Sequence, residues 1–526
     1  MKKLSFLMIM TLVLGLTACG KADNNADKKD DVTTEVKEET VADAEEIPET
    51  DHVMIELSNS EILVNGEKIS EDEDAAVYKA NDIIFYLEGQ GIEYGEGEKK
   101  DEHSQIEGDA HTVVHITEPG TYEISGTLEA GQIFVDLGED AKEDPNAVVN
   151  LVLNNADITC LVAPSILFYN VYECAEATEE EDATMDVDTM AAGANITLAD
   201  DSKNKVYGSY VAKIYKSCEL NEDGTEVIDS KKLHKYDGAV YSKMSMNVFG
   251  DTGSLKIVAE NEGLDTEMHL TIHGGNISID SGNDGINVNE DNVSVFHMKG
   301  GILDIAVNGS TGEGDGIDSN GWLLISGGTL KAAACETSMD SGIDADKGIY
   351  INGGTVAASG NMMAEIAGGE QASMTLGGHG LAGKEKYEVK DAEGEVVLEV
   401  SPKNAFSTLV VSNEVLTADG EYSLWLDDAQ VGQAMREGMF GPGMGGRPGG
   451  QMPEGFDPSQ MPEGFDPSQM PEGFDPSQMP EGFDPSQMPE GFDPSQGGGR
   501  GERPERPGDG VEIPNVEMPP RDLEEN

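Results

Sequence analysis

Between residues 237 and 360, apolar and polar positions alternate with a period of two, and the alternation restarts at regular intervals. The pairs Gly274-Gly275, Gly300-Gly301, Gly327-Gly328 and Gly353-Gly354 follow one another at spacings of 26, 27 and 26 residues. Four residues before each pair stand Leu270, Phe296, Leu323 and Ile349. Two residues before it stand Ile272, Met298, Ile325 and Ile351, and shortly after it come Ile277, Leu303, Leu330 and Val356. A triplet of glycine, aliphatic and acid or amide precedes each pair: Gly263-Leu264-Asp265, Gly285-Ile286-Asn287, Gly316-Ile317-Asp318 and Gly342-Ile343-Asp344. The step from triplet to pair is 11 residues, with 15 in the second copy. A weaker first copy begins at Asp237-Gly238-Ala239-Val240. Alternation of this kind means strands with one face buried. Several short strands in each repeat mean one supersecondary unit per repeat, stacked on the next. The pattern therefore predicts an all-β chain, a parallel β-solenoid with aliphatic ladders inside and glycines at its corners. The L-x-x-L-x-L-x-x-N/C signature of a leucine-rich repeat is absent.

Outside the repeats the pattern changes several times. Residues 110–200 read as earlier, less regular turns, with strand-like Thr121–Gly126, Gln132–Asp136 and Asn150–Asn154. The acidic stretch 175–190 reads as a loop. Thr408–Val411 and Tyr422–Trp425 are strand-like and suit a cap over the open end of a solenoid. From 430 onward Gly, Pro and Met dominate, and Met-Pro-Glu-Gly-Phe-Asp-Pro-Ser-Gln recurs five times across 452–496. Two prolines in every nine residues exclude helix and central strand, so this reads as an extended disordered tail. Its evenly spaced phenylalanines are either a multivalent ligand or part of a duplicated spacer.

At the other end, Lys2 and Lys3 precede an apolar run of 13 residues, Leu4 to Leu16. That run is too short to span a bilayer and suits a signal-peptide core. It ends in Leu16-Thr17-Ala18-Cys19-Gly20, which resembles a bacterial lipobox with Cys19 as the lipidated residue. The expected organisation is a lipoprotein signal peptide over 1–19, an acidic tether over 20–51 and an N-terminal β segment over 52–109. A parallel β-helix over 110–400, capping strands over 401–429 and the tail over 430–526 follow. The extracellular face of a bacterial membrane is the expected location, with the lipid as the membrane contact.

Charge narrows the function. The chain holds 102 acidic and 33 basic side chains, a formal net charge of −69. No arginine occurs before Arg436, and residues 1–429 carry a net charge of −56. Without a basic footprint, nucleic-acid binding is excluded, and the balance argues against lysine- or arginine-driven contact with anionic lipid. A body this acidic repels itself at low ionic strength, and bound divalent cations are one physical remedy. Cys160, Cys174, Cys218 and Cys335 match no CxxC metal site and leave disulfides and free thiols both open.

The triplet acids are the sharpest site candidates. Stacked repeats place Asp265, Asn287, Asp318 and Asp344 in one column, and the residues ahead of the glycines, Asp237, Asp284, Asp315 and Ser341 (with Glu262 in the odd copy), in a second. Bare carboxylates one strand spacing apart, roughly 4.8 Å, repel strongly. Calcium, which takes 6–8 oxygen ligands, would relieve them; capping of turns by the same side chains is the competing reading. Among the outward positions, Trp322 and Tyr350 offer rings for stacking on a sugar, and Lys331 offers a charge; a Trp covering a hydrophobic patch is the alternative. An enzyme would need a base, and Lys243, Lys299, Lys331, Lys347, His269, His273 and His297 lie near the repeats with nothing in their spacing to select one. No catalytic residue is assigned.

The segments Gly120-Thr121-Tyr122-Glu123-Ile124-Ser125-Gly126-Thr127-Leu128 and Asp237-Gly238-Ala239-Val240-Tyr241-Ser242-Lys243, with the repeated Gly-Ile-Asp…Gly-Gly-Thr series, resemble a family of secreted clostridial carbohydrate-binding proteins. Ser401-Pro402-Lys403…Phe406-Ser407-Thr408-Leu409-Val410 and the Gly/Met/Pro-rich tail fit the same family. The resemblance covers about 110–428. It implies a pectate-lyase-like right-handed parallel β-helix, structural calcium, and binding of acidic plant polysaccharide such as polygalacturonate, or of cellulose. By motif position it places calcium ligands among Asp265, Asp284, Asp315, Asp318 and Asp344. Asn287 and Ser341 depart from the acidic pattern, and the absence of arginine departs from lyases of this architecture. The resulting expectation is a lipid-anchored, calcium-dependent polysaccharide-binding protein. A calcium-dependent uronate lyase with a lysine base and a surface adhesin are the alternatives.

Overall fold

The structure is a computed structural model that describes residues 52–175 and 177–435. The expected signal peptide with Cys19, the tether and the nine-residue repeats lie outside the described residues. Strands dominate: among the described residues the α-helix is the short Gln105–Asp109, started by a capping box between Ser104 and Glu107. No helix among them is long and apolar enough to cross a membrane.

The chain is all-β, and its strands pair mainly in parallel with the strand one repeat away. One ladder runs through Ala194–Leu198, Met246–Gly250, Leu270–Ile272, Val295–Met298, Trp322–Ile325, Gly348–Ile351 and Ile366–Gly368. A second runs through Lys203–Gly208, Ser254–Ala259, Asn276–Ser281, Ile302–Val307, Thr329–Ala333 and Thr355–Gly360. The long strand Val149–Thr159 pairs into both. A separate sheet of eight strands carries Thr112–Ile116, Gly131–Asp136, Ile166–Asn170, Gly238–Ser242, Glu262–Thr266, Ile286–Val288 and Ile317–Ser319 in parallel.

Register follows the sequence pattern. Leu270, Phe296, Leu323 and Ile349 lie side by side, as do Ile277, Leu303, Leu330 and Val356. None of these eight is more than 1% exposed. Each such side chain contributes roughly 1.5–3 kcal/mol by leaving water. The glycine pairs have two separate causes. The second member is left-handed in every pair, with φ of +90° at Gly275, +78° at Gly301, +81° at Gly328 and +90° at Gly354. The first member lies against the backbone of the previous repeat: a Cβ on Gly327 would stand 2.5 Å from the Lys299 carbonyl oxygen.

The parallel pattern ends with an antiparallel sheet. Thr355–Gly360 pairs antiparallel with Phe406–Ser412, which also pairs with Ser373–Leu381. Tyr387–Lys390, Val396–Val400, Ser423–Leu426 and Ala429–Ala434 complete it around a second core of Leu376, Tyr387, Phe406, Leu409 and Leu424. The division expected at 400/401 therefore falls inside this sheet, whose first strand starts at Ser373. A hairpin, Val211–Leu220 with Val227–Tyr236, interrupts the repeats ahead of Asp237. The acidic loop after Asn170 crosses the outward face of the first ladder, where the Thr189 hydroxyl lies 2.7 Å from both Asn247 Oδ1 and Thr271 Oγ1. All four described cysteines are free, and Cys160 and Cys335 are buried.

Candidate functional site

One side of the eight-stranded sheet changes chemistry along its length. The cross-strand column reads Tyr78, His115, Phe134, Leu167, Tyr241, Asp265, Asn287 and Asp318. From Tyr78 to Tyr241 it is aromatic except for Leu167. Tyr78 and His115 stack with centroids 4.4 Å apart and planes 3° from parallel, so their facing surfaces are closed to a ligand. From Asp265 onward it is acid and amide, and there it borders a cleft of about 270 Å³.

The triplets place the acids there. Short strands hold Asp265, Asn287 and Asp318 in register, and Asp344 follows by donating its N–H to the Ile317 carbonyl at 2.8 Å. Asp315, Asp318 and Asp344 are half-buried, and their carboxylate oxygens come within 4.8 Å of one another. Asp284 lies alongside, its Oδ1 accepting the Asp315 N–H at 2.6 Å. Asp315 in turn accepts the Ser341 N–H at 2.6 Å. Asp265 stands apart from this trio, because Asn287 separates it from Asp318 in the column. Its neighbours are Glu262 and Asp237, and Lys235 Nζ lies 2.6 Å from Asp237 Oδ2.

Burial dominates the electrostatics. It raises Asp284 and Asp315 well above the usual carboxylate range, Asp315 to about 9; the charges of Glu262 and Asp318 add to the effect at Asp284, and that of Asp284 adds to it at Asp315. Burial likewise raises Glu262, helped by the charges of Asp265 and Asp237, and Asp265, helped by those of Asp237 and Glu267. Burial pulls the Lys235 ammonium down, but Asp237 and the acids behind it outweigh that and hold it charged. Among the described residues, three buried oxygens have no hydrogen-bond partner: Glu262 Oε2, Asp265 Oδ2 and Asn287 Oδ1. Unpartnered buried carboxylate oxygens are costly. Near neutral pH they persist only by holding protons or by meeting a cation.

The other sequence-predicted residues lie elsewhere. Trp322 and Tyr350 share the outward side of the first ladder, in neighbouring columns. Lys347 Nζ sits 5.9 Å from the centre of the Trp322 ring and is paired with Glu180 at 2.9 Å, so the acidic loop reaches this tryptophan. His269, expected outward in the same column, is only 2% exposed. Its Nδ1 accepts the Val295 N–H, and burial pushes its pKa down to about 4. Lys331 is exposed on the second ladder, away from Trp322 and Tyr350. Lys243, half-buried, places its ammonium 4.5 Å from the Tyr169 ring centre.

A family model described as "Carbohydrate-binding domain-containing protein" matches residues 110–408. The chain belongs to this family. The match spans the parallel ladders, the acidic cleft and the start of the antiparallel sheet, so a carbohydrate is the class of partner the family assigns. Among solved structures, a polysaccharide lyase-like protein from C. thermocellum, studied as a gadolinium derivative, matches with 20% identity and a TM-score of 0.33. The match covers 61% of this chain and 93% of that one, and at this distance no residue is carried across. No curated protein matches.

Within this carbohydrate-binding domain, the repeat pattern located Asp284, Asp315 and Asp318, which line the cleft, and Asp265 and Asp344, which do not, but it missed Lys235, Asp340 and the amides Asn261, Asn283 and Asn320, which line it too. Lys235 comes from the interrupting hairpin, which no repeat marks. A signal for the amides was present: Asn261 and Asn283 each stand two residues before a triplet glycine, and Asn320 stands two residues after the Asp318 triplet acid.

Proposed function

We propose that this chain is a lipid-anchored cell-surface protein that binds acidic plant polysaccharide, such as polygalacturonate, in a calcium-dependent manner. The scaffold of this reading is a right-handed parallel β-helix, supported by in-register parallel pairing between strands one repeat apart. Family membership supports the carbohydrate partner. The lipobox-like Leu16-Thr17-Ala18-Cys19-Gly20 supports the anchor and the outer location.

The observation that carries calcium is the set of buried, partnerless oxygens beside three converging carboxylates. All the donors are carboxylate or amide oxygens, which suits a hard cation. Asp315, Asp318 and Asp344 would hold one ion with Asp284 beside them, and Glu262, Asp265 and Asn287 offer a second oxygen set. A bound cation supplies positive charge that neutralises the cleft and attracts sugar carboxylates. Around it, Lys235 keeps Asp237 compensated, while Asp284 and Asp315 tie successive repeats together through backbone N–H groups.

Binding is favoured over cleavage. The lysine at the cleft, Lys235, is held protonated and is no base, and Lys243, whose pKa burial lowers, does not line the cleft. The test is retention of the full chain on polygalacturonate and on cellulose, with calcium or with chelator, while the supernatant is assayed for unsaturated sugars. Calcium-dependent retention without product is expected. Product release would make the chain a lyase, and no retention under either condition would leave an adhesin.

A further inference from the structure

We propose that a groove at Lys331 holds the carboxylate of a uronic-acid unit directly, with no bridging cation. This rests on the acidic-glycan reading above and adds a second contact point to it. The groove, of about 260 Å³, runs between the second ladder and the segment Leu398–Lys403. It brings together Lys331, Lys386 and Lys403 with two carboxylates, Asp304 and Glu399. It is thus net cationic in a body that carries a net −56 over residues 1–429.

The pairing within the groove leaves one lysine open. Lys386 is bound to Glu399 at 2.7 Å, and Lys403 to Asp304 at 3.0 Å. Asp304 is the cross-strand neighbour of Lys331, yet it pairs with Lys403 instead. Lys331 has no carboxylate within 4.0 Å among the described residues. A charged, exposed ammonium held beside saturated ion pairs is a receptor for an incoming anion rather than a partner in the fold.

The rest of the lining suits a sugar. The hydroxyls of Thr329, Thr355 and Ser401 can exchange hydrogen bonds with ring hydroxyls, and Leu398 and Pro402 offer an apolar wall for the C–H face of a pyranose. Neither feature is needed for a bare inorganic anion. In the cleft, carboxylate must meet carboxylate through a metal. In the groove, ammonium meets carboxylate directly, and that contact weakens with salt but ignores chelators.

The experiment is calorimetric titration of the full chain with trigalacturonate in chelator and low salt, comparing wild type, Lys331→Gln and Lys331→Arg. Thermal unfolding of each variant checks the fold. Lys331→Gln is expected to weaken binding about tenfold, as for loss of one charge-assisted contact, and Lys331→Arg to retain most of it. Methyl-esterified trigalacturonate should lose a similar factor against wild type and almost none against Lys331→Gln. Equal affinity of wild type and Lys331→Gln overturns the proposal. Binding that needs calcium and falls with Asp318→Asn alone also overturns it, while the glycan reading stands. A synthetic Met-Pro-Glu-Gly-Phe-Asp-Pro-Ser-Gln peptide that binds through Lys331 where the sugar does not would give the groove to the chain's own tail. Wild type that neither binds the oligomer nor is retained on polygalacturonate sinks both readings.

Discussion

Asp315 shows how a single side chain records an unfinished charge balance. Its carboxyl is raised to about 9 by burial and by Asp284, against an ordinary value near 4. Between those values the folded state holds a proton that the unfolded state has released. Stability therefore falls as pH rises from about 4 to about 9, by at most about 1.4 kcal/mol per pH unit for this group. In chelator, the melting temperature of the full chain should be higher at pH 5 than at pH 8. Saturating calcium should flatten that slope, because the ion replaces the proton and binds the folded state preferentially. Asp318→Asn should reduce the calcium-induced rise in melting temperature, since it removes one of three converging carboxylates. A slope of the opposite sign in chelator would refute this account. The column of Asp265, Asn287 and Asp318 was legible in the sequence, because register in stacked repeats follows directly from equal spacing. That Asp265 belongs with Glu262 and Asp237 was not, since the amide at Asn287 divides the column where the motif is otherwise unbroken. Burial of His269 was equally hidden: its alternation marks it as outward, but its ring is turned to accept the Val295 N–H of the next repeat.

At the level of strands and turns, the glycine pairs separate two costs that usually come together. Gly394 is left-handed, with φ of +86°, and a Cβ there would meet nothing within 4 Å. Gly328 is left-handed too, but its Cβ would lie 2.6 Å from the Gly301 carbonyl oxygen in the neighbouring repeat. Gly394→Ala is therefore expected to cost about 1 kcal/mol, the penalty of the backbone conformation alone. Gly328→Ala should cost more by about 1–3 kcal/mol, because two repeats must also move apart. Chemical denaturation of both variants measures the difference directly, and equal losses would mean that the pair serves turn geometry only. Strands with one buried face were readable from alternation alone. The hairpin Val211–Leu220 with Val227–Tyr236 was not, and Lys235 was missed with it. Its far half is wetted on both sides, with Ile228 65% exposed, so no period of two marks it out.

Across the molecule, charge and attachment set the behaviour. A body with net −56 over residues 1–429 should gain stability from monovalent salt through screening, and more from millimolar calcium through site binding. The proposed anchor is a lipid on Cys19, so Cys19→Ala should move the chain from the detergent phase to the aqueous phase in a partition assay while leaving glycan retention unchanged. The antiparallel sheet that follows Gly368 was only half legible: its strands at Phe406–Ser412 and Ser423–Leu426 were anticipated, but its start at Ser373 was not. Ser373–Leu381 is rich in glycine and interrupted by His379, so its composition resembles a turn until Phe406–Ser412 pairs against it. The parallel pairing also has a mechanical meaning. Hydrogen bonds between repeats point from one repeat to the next, so tension between the two ends of the stack loads them one row at a time. Under pull, such a stack should unspool repeat by repeat, each step of 26 residues paying out about 90 Å of chain, and absorb work as a ratchet instead of failing at once.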